Sequence, residues 1–462
     1  MKIHYLPEGH FFGDCMPFYS DGKYYLYHQR DTRNPGPFGE PFGWCLVATS
    51  DFVTYDDLGE VIPGGGDDSV DQFIFAGTVY RDAEGQARAI YTGYNRDRVG
   101  TDVPSQVLLE ARSDDLVHWV KDGAFELPPP AGYDPTNWRD PYVLWDEKAG
   151  HWMMILGSRQ DGPESISSGS TVWFTSDDLT EWTFQGDLWA PGIFTMHEMP
   201  DLFEANGLWY LLTTEYSEKS KTIYCISESP TGPWRRPVDD AFDGRAYYAA
   251  RSVSDGDRRF LVGWVATKTG DIDTGPFEWG GCLEILEVTF REDGTLGAIP
   301  PIELWEAISA DSQPIEPVMI ETPDGRTVAE LGVVTGDSYA VEATLEIAPG
   351  TRSVSLFFAG DPEADDWYAF NLDLNEQRLI FDRMPNWPWN RYDNKGLDRP
   401  LPADVTSKSV RVRLIVDETV ATIFVDDIAL STRIYDPAGA TLAVAVVDGS
   451  VSVTGASLSI VE

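Results

Sequence analysis

Basic residues are scarce in this chain: 34 lysines and arginines stand against 76 aspartates and glutamates in 462 residues, a formal net charge of −42. That deficit excludes the usual electrostatic grip on nucleic-acid phosphates and anionic membrane surfaces. It leaves neutral or cationic partners, sugars among them, or a plain role in solubility or salt tolerance. Cysteine is scarcer still. Cys15, Cys45, Cys225 and Cys282 are scattered and never spaced as CxxC, which argues against a disulfide framework and a zinc site and fits a reducing compartment. A Gly-rich phosphate loop and a metal-spaced histidine cluster are both missing. No run of about 18 apolar residues occurs, so no membrane span is expected. The opening MKIHYLPEGHFFGDC lacks the apolar stretch and small-residue cleavage site of a secretory signal, so the expectation is a non-exported, cytoplasmic protein.

Apolar and aromatic residues are plentiful, at 42% and 13%, enough for a substantial core in roughly two or three domains. A short pattern recurs in which Ser and an acid precede an aromatic: TSDFVTY from Thr49, SDDLVHW from Ser113, SDDLTEW from Ser176, and a looser SESPTGPW from Ser227. Ser50, Ser113 and Ser176 are spaced by 63 residues, a regularity that suggests propeller blades. Five strand-turn-strand segments, from Met16, Thr78, Tyr142, Asp201 and Tyr247, are rich in Tyr, Phe, Trp, Val and Leu and broken by DG, EG, AG or NG. The fold class expected is therefore all-β, with a five-bladed β-propeller over residues 1–300. PPIELWEAISADSQ reads as a short helical connection over 301–318, and the alternating segments after it read as a β-sandwich over 319–462.

Three acids hold comparable places in their blades. Asp14 lies 8 residues before Gly22, Asp140 lies 10 before Gly150, and Glu198 lies 9 before Gly207. The first strands of propeller blades line the central channel, so these carboxylates should converge at its mouth. Taken singly, each could equally cap a turn or bind a cation. Held together, like charges cannot all stay ionised, and one carboxyl becomes a proton donor, the pairing that glycoside hydrolysis needs.

These stretches resemble glycoside hydrolase family 32, the invertase, inulinase and levanase group. HEMPDLF around Glu198 is close to the family's ECPDLF, WRDPYV around Asp140 matches its RDP, and GDCMPFYSDGKYYLYHQ stands where the family has NDPNG and a similar strand. FAGTVYRD from Phe75 is similar to FSGSAVVD, and WGGCLEI from Trp279 to WAGCL. The resemblance implies a retaining β-fructofuranosidase acting by double displacement on terminal β-fructofuranosyl linkages, with fructosyl transfer open as a further activity. Asp14 would be the nucleophile, Glu198 the general acid/base and Asp140 the transition-state stabiliser. Arg139 and Gln29 would contact the sugar, and Trp44, Phe75 and Trp279 would line its pocket or else pack the blades. His197 would be structural and His28 undecided. No cofactor is required, no metal is called for, and a structural cation among so many carboxylates stays open.

The chain departs from the family pattern around its nucleophile. Gly13, Cys15, Met16 and Pro17 replace the Asn, Pro, Asn and Gly of that motif, Ala76 replaces the FSGS serine, and His28 replaces the FYQ tyrosine. Losing the asparagine removes a polar contact, so the expected substrate is a short or unusual fructose-containing oligosaccharide. The alternatives are an inverting five-bladed arabinofuranosidase or xylosidase and a non-catalytic sugar-binding propeller. Nucleic acid and membrane are not expected partners, and a homo-oligomer is possible. The segment from Arg383, RMPNWPWNRYDNKGLDRP, is expected to pack on the surface, with the pocket or a neighbouring subunit as second choices.

Overall fold

The computed structural model describes residues 2–36, 38–217 and 219–461, and almost all of their regular structure is antiparallel strand. Blade one comprises β1 (Phe11–Ser20), β2 (Lys23–Asp31), β3 (Trp44–Thr49) and β4 (Asp56–Ile62). Blade two comprises β5 (Phe73–Arg81), β6 (Ala87–Tyr94), β7 (Gln106–Ser113) and β8 (Trp119–Leu127). Blade three comprises β9 (Tyr133–Asp146), β10 (His151–Gln160), β11 (Gly169–Ser176) and β12 (Thr183–Trp189). Blade four has β13 (His197–Ala205), β14 (Leu208–Glu215) and β15 (Thr222–Ser227), and isolated bridges from Ile223 to Ala241 and Ile226 to Arg235 stand in for its outer strand. Blade five has β16 (Tyr247–Ser254), β17 (Arg259–Lys268) and β18 (Phe277–Phe290), with the short β19 (Leu296–Ile299) paired to β18. Pairing of Phe12 with Gly281 joins the last blade to the first and closes the ring.

The hairpins form where the sequence supplies left-handed turns. Asp21 and Gly22 both have positive φ, at 52° and 79°, as do Asn206 and Gly207, at 53° and 77°, the pattern that joins tightly paired strands without splaying them. The Ser/acid/aromatic repeat is the outer turn of each blade. Ser113 Oγ accepts from Leu116 N and Ser176 Oγ from Leu179 N, both at 2.9 Å, while Asp115 and Asp178 accept from the next two amides. In blade one the same role falls to Thr49, whose Oγ1 accepts from Phe52 N at 2.9 Å, and not to Ser50. The even spacing counted from Ser50 was a coincidence of neighbouring hydroxyls, since a threonine hydroxyl caps the turn equally well.

After the propeller, α1 (Ile302–Ser309) buries Leu304, Trp305 and Ile308. The sandwich takes up β20 (Gln313–Pro314), β21 (Val318–Val333), β22 (Ser338–Ile347), β23 (Ser353–Asp361), β24 (Asp366–Asp373), β25 (Arg378–Met384), β26 (Asp398–Pro400), β27 (Ser409–Asp417), β28 (Val420–Val425), β29 (Ile428–Arg433) and β30 (Thr441–Ile460). Gln313 and Pro314 already pair with β30, so the sandwich reaches back into the stretch expected to be connection. The first half of β30 pairs with β23 and its second half with β22, which makes one long strand cross between the two layers. Alternate residues of β22, among them Tyr339, Val341 and Leu345, meet Leu356, Phe358 and Phe370 in the core between them.

The two domains share a buried and largely polar seam. Arg399 is 1% exposed and donates to Asp239 at 2.8 and 3.0 Å and to the Ala241 carbonyl at 2.6 Å. Arg433 donates to the Val265 and Ala266 carbonyls, and Ser431 and Thr422 donate to Glu284. The segment from Arg383 lies against the propeller, where Gly396 O accepts from Arg245 N at 2.9 Å, while Trp387 and Trp389 stand in solvent.

His4 clasps this seam from the N-terminal side, 3.1 Å from Asp417 and 3.7 Å from Glu284. Burial alone would lower its pKa, but the two carboxylates outweigh that and raise it from 6.5 to about 10. A folded-state pKa above the unfolded value gives stability that is complete below about pH 6.5 and is lost as pH rises through about 10. The expected result is a melting temperature that declines across that interval in the parent and is flatter in His4→Gln, measured by scanning calorimetry at a series of pH values.

Candidate active site

Each of the five innermost strands carries a β-bulge at the same height on the propeller axis. Pairing skips between Phe12 and Cys15 on β1, Phe75 and Gly77 on β5, Arg139 and Tyr142 on β9, Glu198 and Asp201 on β13, and Tyr248 and Arg251 on β16. A bulge turns side chains out of the normal alternation, and at a channel it turns them toward the axis. Phe75, Arg139, Glu198 and Tyr248 are the last paired residues before their bulges, and all four line one cavity. Asp140, Met199 and Ala249 lie within bulges at φ of 62°, 49° and 56°. Asp14 comes from the bulge of β1, whose partner strand places Gln29 opposite. The three acids thus occupy three successive positions of one repeated irregularity.

Inter-blade bonds hold the bulges in place. Asp140 N donates to Thr92 Oγ1 and Met199 N donates to Asp140 Oδ2, both at 3.0 Å, which links blades two, three and four. Asp201 Oδ2 accepts from Ser252 N at 2.6 Å and links blade four to five. Arg251, 1% exposed, donates to the Asp140 carbonyl at 2.6 Å, the Pro141 carbonyl at 3.3 Å and the Gly77 carbonyl. One buried guanidinium therefore satisfies carbonyls that the bulges free from their ladders.

Arg139 Nη2 donates to Glu198 Oε1 at 2.6 Å, its Nε lies 3.8 Å from Asp140 Oδ2, and the Tyr248 hydroxyl donates to Glu198 Oε2. Asp14 Oδ1 accepts from Trp264 Nε1 at 3.1 Å. Burial, then repulsion from Asp140 and Glu198, raises the pKa of Asp14 well above the ordinary carboxylate range, against the Trp264 N–H and the Arg251 charge. Burial also raises Asp140, with Arg139 opposing it. Each of these two aspartates is thus harder to ionise than an exposed carboxyl.

The cavity has a volume of about 550 Å³, within the range of small-ligand sites. One wall is aromatic: Phe38 meets Phe75 at 5.4 Å and Trp279 at 5.7 Å, Phe75 stacks on Tyr94 at 4.5 Å, and Trp264 meets Trp279 at 5.6 Å and Tyr248 at 4.9 Å. The other wall presents Gln106, Thr136, Arg139, Tyr216, Ser220 and Arg245. Of the residues expected from the sequence, Asp14, Glu198, Asp140, Arg139, Gln29, Phe75 and Trp279 all line the cavity. Trp44 does not. It is wholly buried, with its Nε1 on the Phe75 carbonyl at 3.0 Å, so it packs the blade beneath a lining residue and is not itself in the pocket. His197 is buried on the face opposite Glu198, its Nδ1 2.9 Å from Thr171 Oγ1, and burial lowers its pKa to about 3.

Sequence reading missed Tyr248, Trp264 and Arg251, which contact the acids or the backbone carrying them. A signal for Tyr248 existed: blade five repeats the innermost-strand frame, and Tyr248 stands there where blade four has Glu198. The unusual Gly13 also has a physical reason. A Cβ on Gly13 would collide with the six-membered ring of Trp279, so the indole occupies the space an asparagine side chain would need. Among the described residues one group of His and Cys donors could share a cation, His10, His28 and Cys45, on the face of β2 opposite Gln29.

An axial pocket in a five-bladed propeller, with three carboxyls, a guanidinium and an aromatic wall, supplies what glycoside hydrolysis requires. Comparison with known proteins agrees. The model of the glycosyl hydrolases family 32 N-terminal domain matches residues 4–296, and that of the family 32 C-terminal domain matches residues 310–462. The chain belongs to glycosyl hydrolase family 32. It is 26% identical to the raffinose invertase of Escherichia coli over 91% of this chain and 86% of that one. With the levanase of Bacillus subtilis it shares 24% identity over 92% of this chain and 64% of that enzyme. Its fold is similar to that of the exo-inulinase of Aspergillus awamori, with a TM-score of 0.77 at 19% identity, covering 100% of this chain and 99% of that one.

Because a Cβ at Gly13 would meet the Trp279 ring, Gly13→Ala should displace the indole and leave the propeller folded. The expected outcome is a loss of about 10- to 100-fold in kcat/KM on a fructoside, with a changed tryptophan emission spectrum and a melting temperature close to the parent's.

Proposed function

We propose that this enzyme removes terminal β-fructofuranosyl units with retention of configuration, using Asp14 as nucleophile and Glu198 as general acid/base. The observation that carries this is the placement of the two acids in one cavity: Asp14 accepts from the Trp264 N–H, and Glu198 is held between Arg139 and Tyr248 on the pocket wall. In the first step an Asp14 carboxylate oxygen bonds to the anomeric carbon as the bond to the leaving oxygen breaks, and the Glu198 proton passes to that oxygen. In the second, Glu198 takes a proton from water as the water oxygen bonds to the anomeric carbon, and Asp14 leaves as carboxylate. Arg139 and Tyr248 hold the two Glu198 oxygens in place on the pocket wall. Asp140, fixed by Met199 N, and Gln29 are placed to take fructose hydroxyls. Phe75 and Trp279 give the sugar ring an apolar wall.

The substrate proposed is a short fructose-containing oligosaccharide. Supporting this, the Trp279 indole lies against Gly13 where the family's asparagine side chain would stand, so that polar contact is missing beside the pocket. Relatives carry names that include raffinose invertase and sucrose-6-phosphate hydrolase. A cytoplasmic site of action fits four unpaired, buried cysteines. No helix among the described residues is long and apolar enough to cross a membrane.

Assays on sucrose, sucrose 6-phosphate, raffinose, inulin, levan and difructose anhydrides, with NMR of the first-formed anomer, test the reading. Release of β-fructofuranose is expected; an inverted product, or inactivity on the whole panel, overturns it. Asp14→Asn and Glu198→Gln should each lower kcat by about 10² to 10⁴ or more, with a folded protein by circular dichroism. Since Asp14 must be ionised to attack, activity should fall on the acid side through a pKa above the usual carboxylate range. Trp264→Phe removes a donor that favours the ionised form, so the acid limb of the kcat/KM profile should move to higher pH.

A further inference from the structure

Blade one carries a second cluster of chemistry-bearing side chains that the proposed catalysis does not use. His28 on β2 is paired across the sheet with Cys45 on β3, so their side chains share a face. His10, just ahead of β1, folds over the same face, its ring 6.1 Å from that of His28 and nearly parallel to it. One donor atom from each of the three lies within 4.8 Å of the others. None of the three residues lines the catalytic cavity.

The donors are arranged for metal more than for one another. His28 Nδ1 is 2.9 Å from the Gln29 carbonyl, which keeps a proton on Nδ1 and leaves the Nε2 lone pair free. His10 makes a backbone hydrogen bond to Glu8, and its Nε2 is buried with no hydrogen-bond partner. An orphaned imidazole nitrogen inside a protein is costly unless something binds it. Phe12 stacks on His28 at 4.2 Å and shields the cluster. Of the charged groups nearby, Arg30 opposes a cation, while Asp57 and Glu60 favour one.

We propose that His10, His28 and Cys45 form a binding site for a thiophilic transition-metal ion of the zinc class. Two imidazoles and one thiolate suit a borderline-soft cation and not magnesium or calcium, which take oxygen ligands. Bond lengths of about 2.0–2.1 Å to nitrogen and about 2.3 Å to sulfur require the donors to draw in slightly from their present separation. Binding replaces the Cys45 thiol proton, which is released to solvent, and forms one metal–sulfur and two metal–nitrogen bonds. Because His28 precedes Gln29 and Cys45 follows Trp44, an ion here would stiffen the strands that carry a pocket residue and the tryptophan packed behind the pocket.

The test is metal uptake by the reduced, chelator-treated protein, followed by calorimetric titration with Zn²⁺ and absorption spectroscopy with Co²⁺. One equivalent should bind, Co²⁺ should produce a thiolate-to-metal charge-transfer band, and Zn²⁺ should raise the melting temperature. Cys45→Ser should abolish the band, and His10→Gln, at a half-buried position that leaves the sheet intact, should weaken binding by at least about tenfold. Failure of the parent to take up one equivalent overturns the proposal, as does uptake that persists unchanged in both variants, since that would place the ion on surface carboxylates. None of these readouts depends on fructoside cleavage.

Discussion

Everything at the centre of this molecule depends on a single repeated irregularity, the β-bulge that interrupts the innermost strand of each blade at one height on the axis. A regular strand would send alternate side chains into the neighbouring blades and leave the channel lined by whichever face remained. The bulge breaks that alternation and frees backbone carbonyls and amides inside the protein, where they must find partners. They find them across the blades: Asp140 N on Thr92, Met199 N on Asp140, Ser252 N on Asp201, and the Arg251 guanidinium on the carbonyls of Gly77, Asp140 and Pro141. The bonds that secure the fold at its axis are the same bonds that aim the site.

Concentrating three carboxyls in that space costs electrostatic energy, and the surroundings divide the cost unequally. Glu198 has two strong donors, Arg139 and Tyr248, at the pocket wall. Asp14 has one indole N–H and a distant guanidinium, and burial drives its pKa upward. Asp140 spends one oxygen on a backbone amide and so serves structure as well as substrate.

Much of this is legible in the sequence. The outer-turn repeat, the five hairpins and the ordered acids indicated the architecture and the trio at its centre, because turn chemistry and strand alternation act over a few residues. The readings that needed correction all required knowledge of what lies across the sheet. Thr49 caps the turn that Ser50 seemed to mark, since the hydroxyl's direction is set by the turn. Trp44 packs behind Phe75, because a strand faces two ways and only the neighbouring blade decides which side is pocket. Tyr248 went unread although it fills the frame of Glu198, because a tyrosine in a strand carries no mark of function until a carboxylate is found against its hydroxyl.

The sequence by itself determined the strand-rich repeat, the two-domain order, the acidic surface and the identity of the three central acids. Each is written in local pattern, in residue type, or in motifs such as RDP and PDLF. Only the tertiary structure decided that Gly13 yields its space to Trp279, that Arg251 braces three blades, and that His10, His28 and Cys45 meet on one face of blade one. The reason is distance along the chain: Gly13 and Trp279 lie at opposite ends of the propeller, and nothing in either neighbourhood records the other until the ring closes between Phe12 and Gly281.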